Sequence, residues 1–306
     1  MAGGAISGAG STSDTYAPAR IWLLLPAWAT LAILVLAPVS LMLVYSFLTK
    51  EFRGGVVWEF SLAAYDQFFC SRGLFGDEPC AIEWTYIQIF WRSIWQAGAA
   101  TVLSLLIGFP TAYFIATRPA NQRAMWVFLV TIPYWVNLLI RTVSMRFILR
   151  DNGPMNEFLL GLGIISEPLA IINTNLAVQL GLFYSYLPFM VLPIYAAVER
   201  YNFSLSEAAA DLYAPRWKIL WHVLLPAVKP GIIAGCILVF VPSLGSFLAP
   251  DLLGGAKTYM IGSLIEEQFK GNAGNWPFGA AAAMILLSLV LVILLVLARQ
   301  QSRAAG

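Results

Sequence analysis

Charge is scarce in this chain: Asp, Glu, Lys and Arg make up 11% of its 306 residues, and 59% are hydrophobic. A soluble domain carries about 25% charged residues, so an ordinary globular protein is excluded and an integral membrane protein is implied. Histidine is nearly absent, with His222 alone, and cysteine is limited to three positions. No Cys/His cluster at metal-ligand spacing exists, and His222 stands with no cysteine or acidic pair nearby, so no metal site is indicated. Net charge is only +2 with no basic stripe, which argues against a nucleic-acid partner. A phosphate-binding loop is also lacking. Gly254-Gly255-Ala256-Lys257-Thr258 has neither the glycine before its lysine nor the one five residues earlier that a phosphate loop requires. No enzyme constellation is present, and the chain is expected to bind no cofactor and to hydrolyse no ATP by itself.

Long apolar runs are what the sequence has instead, with a mean hydropathy of +0.75. A helix needs roughly 20 apolar residues to cross a bilayer, and six runs qualify: about 21–48, 86–117, 124–149, 169–198, 231–249 and 277–298. The short alternating segments of a membrane β-barrel are absent. The expected fold is therefore all-α, a polytopic membrane protein of six transmembrane helices. Residues 1–20, rich in Gly, Ser and Ala, are expected to be a disordered tail. Their one basic residue, Arg20, comes late, and the apolar stretch after it is too long for a secretory signal. Residues 300–306 form a second short tail, leaving 21–299 as the membrane domain.

Orientation follows from the basic residues. With the N-terminus inside, inner segments hold Arg20, Arg118, Arg123, Arg200, Arg216, Lys218, Lys229, Arg299 and Arg303; outer ones hold Lys50, Arg53, Arg72, Arg150, Lys257 and Lys270. Both termini are thus expected in the cytoplasm, together with the connection 199–230. The first loop then lies outside. Its Cys70 and Cys80, ten apart in an oxidising compartment, are candidates for a disulfide, whereas Cys236 falls inside the fifth run as a packing residue.

Within the runs, Arg92, Arg141 and Arg146 stand near outer ends, where long side chains can snorkel to the interface. Arg141 follows Pro133-Tyr134-Trp135-Val136-Asn137, a proline-softened stretch that puts 134, 137 and 141 on one helical face. That face either lines a path or packs on a neighbouring helix through polar contacts. Tyr184, in the fourth run, belongs to an aromatic cluster able to meet an organic cation or to sit at the interface. Asp251, just beyond the fifth run, is either a carboxylate at an outer mouth or a turn residue.

Ser204 to Gly231 is a polar, helix-capable segment between two apolar runs. Ser204 and Glu207 are spaced as a capping box, and Ala208, Ala209 and Ala210 follow with high helix propensity and low profile, a surface that a partner could approach closely. The segment resembles the loop of bacterial ABC importer permeases, which has the form E-A-A, three residues, G, nine residues, I-x-L-P. Here Glu207-Ala208-Ala209 is followed, at the same spacing, by Tyr213 in the glycine position, Val223 for isoleucine, then Leu225 and Pro226. Residues 176–195, 231–255 and 275–279 are further similar to spermidine/putrescine importer permeases, in particular to the first of that system's two permeases.

This resemblance implies the six-span fold of type I importers and a coupling helix in which Glu207, Ala208, Ala209, Asp211, Tyr213, Leu225 and Pro226 meet an ATPase. It also implies the partners: a second, related permease subunit, two ATP-binding subunits carrying ATP and magnesium, and a periplasmic solute-binding protein, all at the bacterial inner membrane. Tyr134, Trp135, Asn137, Arg141, Tyr184 and Asp251 are the candidate path residues, with a polyamine as substrate. Two alternatives stay open: a permease of the same subfamily for another small solute such as an amino-acid derivative, and a self-sufficient secondary transporter. Tyr213 is the departure from the pattern. Either the turn differs in shape, or the ring adds a contact to the partner.

Overall fold

A computed structural model describes residues 17–51, 55–71, 81–82, 84–255, 258–270 and 274–305. Cys80 and tail residues 1–16 lie outside the described residues, as do Arg53, Arg72 and Lys257. The chain is mostly helical. Helix α1 spans Ala17–Tyr45, a short antiparallel ribbon pairs β1 (Leu48–Lys50) with β2 (Val56–Phe60), and α2 (Ala63–Phe69) follows. A second ribbon pairs β3 (Cys70–Ser71) with β4 (Ala81–Ile82), Cys70 lying opposite Ile82. Cys70 is disulfide-bonded, and Cys236 is a free, half-buried thiol.

The remaining elements are α3 (Trp84–Ala116), α4 (Ala120–Trp135), α5 (Leu138–Leu149), α6 (Pro154–Gly161), α7 (Asn175–Glu199), α8 (Ser204–Asp211), α9 (Arg216–Ile219), α10 (Leu225–Leu244), α11 (Ile261–Phe269) and α12 (Trp276–Ala305). Among the described residues, five helical stretches are long and apolar enough to cross a membrane: 26–45, 84–116, 175–199, 216–244 and 276–300. A sixth exists if α4 and the chain that follows it, bent by 89° at the break after Trp135, count as one. This is a multi-pass membrane protein.

Prolines interrupt several of these helices, including Pro110, Pro188, Pro193, Pro230 and Pro242. Membrane helices tolerate them because neighbouring helices and local adjustments re-satisfy the freed backbone groups. One such adjustment is visible just before Pro226. A π turn, Leu220–Leu224, joins α9 to α10, with the Leu225 N–H donating to the Leu220 carbonyl. The helix thus begins well before residue 231, where the fifth apolar run starts.

Helices α3, α7 and α10 pack against one another as the centre of the molecule. Lipid offers no hydrophobic drive between spans, so close approach of small residues must supply the packing. Gly108 on α3 and Gly235 on α10 both face Met190 of α7. A Cβ at Gly108 would stand 2.9 Å from Met190 Cγ, and one at Gly235 would stand 2.9 Å from its Sδ and 3.1 Å from its carbonyl. Gly231 and Gly235 form a G-x-x-x-G pair against α7. Around this seam Ala112, Ile115, Ile194, Val198, Val228 and Val239 are fully buried. A separate cluster of Phe68, Ile89, Ile261, Leu264, Phe278 and Ala282 ties α2, α11 and α12 to the start of α3.

Candidate functional site

The α8 region is built as a projecting, internally braced loop. Its N-terminus differs from the expected capping box. Ser204 is already the first helical residue, and the side chain of Asn202 accepts both its N–H (3.1 Å) and its hydroxyl (2.8 Å). With Asn202 filling the acceptor role, neither Ser204 nor Glu207 closes a reciprocal box, and Glu207 is left exposed. Ala208, Asp211 and Pro226 are exposed too, while Ala209 and Leu225 are half-buried.

At the other end of α8 the chain turns through a Schellman motif. The Tyr213 N–H donates to the Ala210 carbonyl (2.9 Å) and the Ala214 N–H to that of Ala209 (3.1 Å). The geometry requires a left-handed residue, and Tyr213 supplies it with φ 61°. The turn therefore has the shape glycine would give. Holding a tyrosine there costs about 1–2 kcal/mol relative to glycine, and its ring gains nothing from the chain itself, being 96% exposed. Of the two readings of Tyr213, an altered turn is excluded.

The base of the loop is anchored in the core. Tyr201 is buried beside Val198, Leu224 and Val228, its hydroxyl paired with Ser206 Oγ at 2.7 Å and its ring edge-on to Phe203 at 5.2 Å. These contacts tie the base of the loop to the ends of α7 and α10.

The second constellation lies at the break between α4 and α5. The expectation of one softened helix is not met. Although Pro133 lies within α4, the helix ends two residues later, and Val136 and Asn137 are extended (ψ 137° each). Both new helix ends are satisfied locally. Asn137 Oδ1 accepts the Leu139 N–H at 2.8 Å, an N-cap for α5. Arg141 turns back and donates to the orphan carbonyls of Tyr134 (3.1 Å) and Val136 (2.8 Å), and across to the Ser185 carbonyl of α7 (3.1 Å). A cation at a helix C-terminus also complements its dipole. Arg141 is only 5% exposed, so it does not snorkel. It packs on a neighbouring helix through polar contacts, one of the two roles its position allowed.

Beside this break is an open groove of about 430 Å³, lined by Tyr134, Trp135, Asn137 and Arg141 from one side and Ser185, Tyr186 and Phe189 from the other. Tyr134 and Phe189 meet edge-to-face with centroids 5.0 Å apart. Four of the six path candidates are thus brought together. Tyr184 is not among the lining residues. At 100° per residue, 185, 186 and 189 share one side of α7 and 184 faces away from it. Asp251 is exposed on a π turn, Pro250–Gly254, and belongs to an acidic neighbourhood. There Tyr259 donates to the Glu267 carboxylate and Lys270 pairs with Glu266. Burial, then the bond to Glu267, pushes the Tyr259 phenol up, and Asp251 adds to that shift.

The model of binding-protein-dependent transport system inner membrane components matches residues 108–304, spanning the groove, the α8 loop and the last helix. The chain belongs to this family. It is 39% identical over 262 residues to the spermidine/putrescine transport system permease protein PotB of Haemophilus influenzae, covering 86% of this chain and 87% of that one. It is 38% identical to PotB of Escherichia coli K12 over 266 residues, covering 87% and 92%. It is also 34% identical to the E. coli inner membrane ABC transporter permease protein YdcU over 221 residues, covering 68% and 69%. A chain from a bacterial ABC transporter for import of the polysaccharide alginate shares the fold, with a TM-score of 0.66 at 20% identity over 94% of this chain and 98% of that one. A chain of the methionine ABC transporter MetNI shares it at a TM-score of 0.55 and 19% identity, over 73% and 97%.

For this inner membrane transport component, sequence reasoning missed Ser185, Tyr186 and Phe189 as groove residues. The signal was available in part: the Phe183–Pro188 aromatic cluster stood out, and only the helical phase of α7 separates Tyr186 from Tyr184. Asn202 was missed because Ser204, one place inside the helix, offered a more familiar pattern. Among the described residues no group of His, Cys, Asp or Glu is placed to hold a metal ion.

Proposed function

We propose that this chain is one permease subunit of a bacterial inner-membrane ABC importer for polyamines such as spermidine and putrescine. The observation that carries the substrate is the 38–39% identity, over 86–87% of the chain, to permeases named for that transport. The groove chemistry agrees. Tyr134, Trp135, Tyr186 and Phe189 line it, and ring faces attract organic cations by about 0.5–2 kcal/mol each. Arg141 also lines the groove and keeps its positive charge, with three backbone carbonyls holding its guanidinium in place. Broken helices whose irregular backbone lines a cavity are the recurring site of transport in membrane proteins.

In this reading the chain has six spans, the third being the bent pair α4 and α5, with both termini and the α8 loop in the cytoplasm and lipid around the outer helices. It pairs with a second, related permease. Two ATP-binding subunits carry ATP and magnesium, and one of them grips α8 through Glu207, Ala208, Ala209, Asp211 and Tyr213, with Leu225 and Pro226 at the base of the grip. A periplasmic binding protein delivers substrate to the outer face, where Asp251 lies in an acidic surface suited to a cation. Closure of the ATP-binding pair moves α8, the Tyr201 anchor passes that motion to α7, and α7 moves together with the break that Arg141 fastens to Ser185. Groove access then alternates between the two sides, and ATP hydrolysis on the partners resets it.

The test is the ATPase rate of the reconstituted four-component complex with its binding protein, titrated with putrescine, spermidine and an amino-acid derivative. Stimulation by the polyamines alone is expected. Stimulation by the amino-acid derivative alone would move the chain to another solute while leaving the permease role in place.

A further inference from the structure

Tyr186 lines the groove beside the helix break, and its hydroxyl reaches the far end of α10. That helix stops at Leu244 with Gly245 as its cap, and the Ser246 N–H goes to the Ser243 carbonyl at 3.3 Å. The Pro242 carbonyl in the same last turn is one of the acceptors that a helix end leaves over. The Tyr186 hydroxyl donates to it across a long 3.4 Å, and the Ser246 side chain meets the same hydroxyl. Adjacent residues of α7 therefore serve two helix ends. The Ser185 carbonyl holds Arg141 of the α4–α5 break, and the Tyr186 hydroxyl holds the end of α10.

A backbone carbonyl only accepts, so the bond to Pro242 commits the single phenolic proton to α10. Toward the groove the oxygen then offers lone pairs and no proton. It accepts from an N–H donor and repels a carboxylate oxygen. Of its neighbours, Arg141 can only donate, and Asn137 Oδ1 already accepts the Leu139 N–H at 2.8 Å. Arg141 also sets a positive charge beside the groove, which a cationic substrate must offset with an acceptor of its own. Resting on the polyamine reading above, we infer that Tyr186 is a specificity-determining residue whose oxygen accepts a hydrogen bond from a primary or secondary ammonium of the substrate. The ring face attracts any organic cation; the hydroxyl selects those that carry an N–H. A site built to bond an N–H rejects an analogue lacking one, because its polar atom is then left unpaired.

Equilibrium binding to the complete permease–ATPase complex in nanodiscs, with the binding protein left out, tests this with two diamines. One is putrescine; the other is its fully N-methylated analogue, which keeps both charges but has no N–H. Tyr186→Phe keeps the ring and removes the hydroxyl. It should weaken putrescine binding by roughly tenfold, the loss of one hydrogen bond to a charged donor, and leave the methylated diamine within about twofold. Phe189→Ala, which removes only a ring face, should weaken both diamines alike. Equal loss of the two diamines in Tyr186→Phe overturns the selective role of the hydroxyl. If Phe189→Ala weakens binding while Tyr186→Phe changes neither affinity, the groove still holds the cation and only the hydroxyl's role fails. If neither variant moves either affinity, or the wild type shows no saturable putrescine binding, the groove is not the polyamine site and both claims fall.

Discussion

Arg141 bridges a helix break, its guanidinium 2.8 Å from the carbonyl of Val136 and 3.1 Å from that of Ser185 on α7. One side chain thus closes the end of α4 and fastens the break to α7. Removing it takes the donor from the Tyr134, Val136 and Ser185 carbonyls, of which the buried Ser185 contact is the costliest to lose, at about 1–3 kcal/mol. Arg141→Ala should lower the melting temperature of the detergent-solubilised protein clearly, whereas Arg141→Lys, a point donor without the planar fork, should recover only part. Equal melting of all three proteins would remove the bridging role.

Tyr186 and Phe189, but not Tyr184, should matter for substrate. Phe189→Ala or Tyr186→Ala is expected to raise the KM for polyamine uptake several-fold, from the loss of one ring face. Tyr184→Ala is expected to leave it within twofold. Uptake kinetics in proteoliposomes distinguish these, and a larger effect at Tyr184 than at Phe189 would show that the groove has been misassigned.

Close packing at Met190 gives a prediction of opposite signs at two glycines. Gly235→Leu forces side-chain atoms against Met190 Sδ and the α7 backbone, and overpacking of this kind costs typically 1–3 kcal/mol. Gly98, in contrast, has nothing within 4 Å of a built Cβ. Gly98→Ala should be neutral or stabilising by up to about 1 kcal/mol, from helix propensity alone. Thermal unfolding of the two variants beside wild type checks both.

The α8 loop was the most legible part of the chain, and for a physical reason. Its spacing records where a helix starts, where it must turn left-handed and where the next helix begins, and the φ of Tyr213 confirms that the turn survives without its glycine. The break after Trp135 was far less legible. Hydropathy averages over 18–20 residues and cannot distinguish a straight span from two halves at 89°. Pro133 drew attention to the right place but sits inside α4, and the carbonyls freed at the break are satisfied by Arg141, which only the folded chain brings near. Ser185 entered for the same reason: its contribution is a backbone oxygen, which no side-chain pattern announces.

Asn202 offers a local test of the loop's construction. Asn202→Ala removes the acceptor for the Ser204 N–H and should cost about 1 kcal/mol, typical of a lost N-cap, while Ser204→Ala removes only a hydroxyl donor and should cost less. Amide hydrogen exchange at 204–207 should rise several-fold in the first variant. Greater exchange in Ser204→Ala than in Asn202→Ala would return the capping role to Ser204.

Whether ATP-driven motion at α8 becomes polyamine movement is measured most directly by ATP-dependent uptake of labelled spermidine into proteoliposomes of the full complex. Wild-type complex should accumulate spermidine only with ATP inside the accessible compartment and binding protein outside. Glu207→Lys should insert and assemble in its membrane yet accumulate almost none. Unimpaired uptake by Glu207→Lys, or uptake by this chain alone on an ion gradient, would contradict the account.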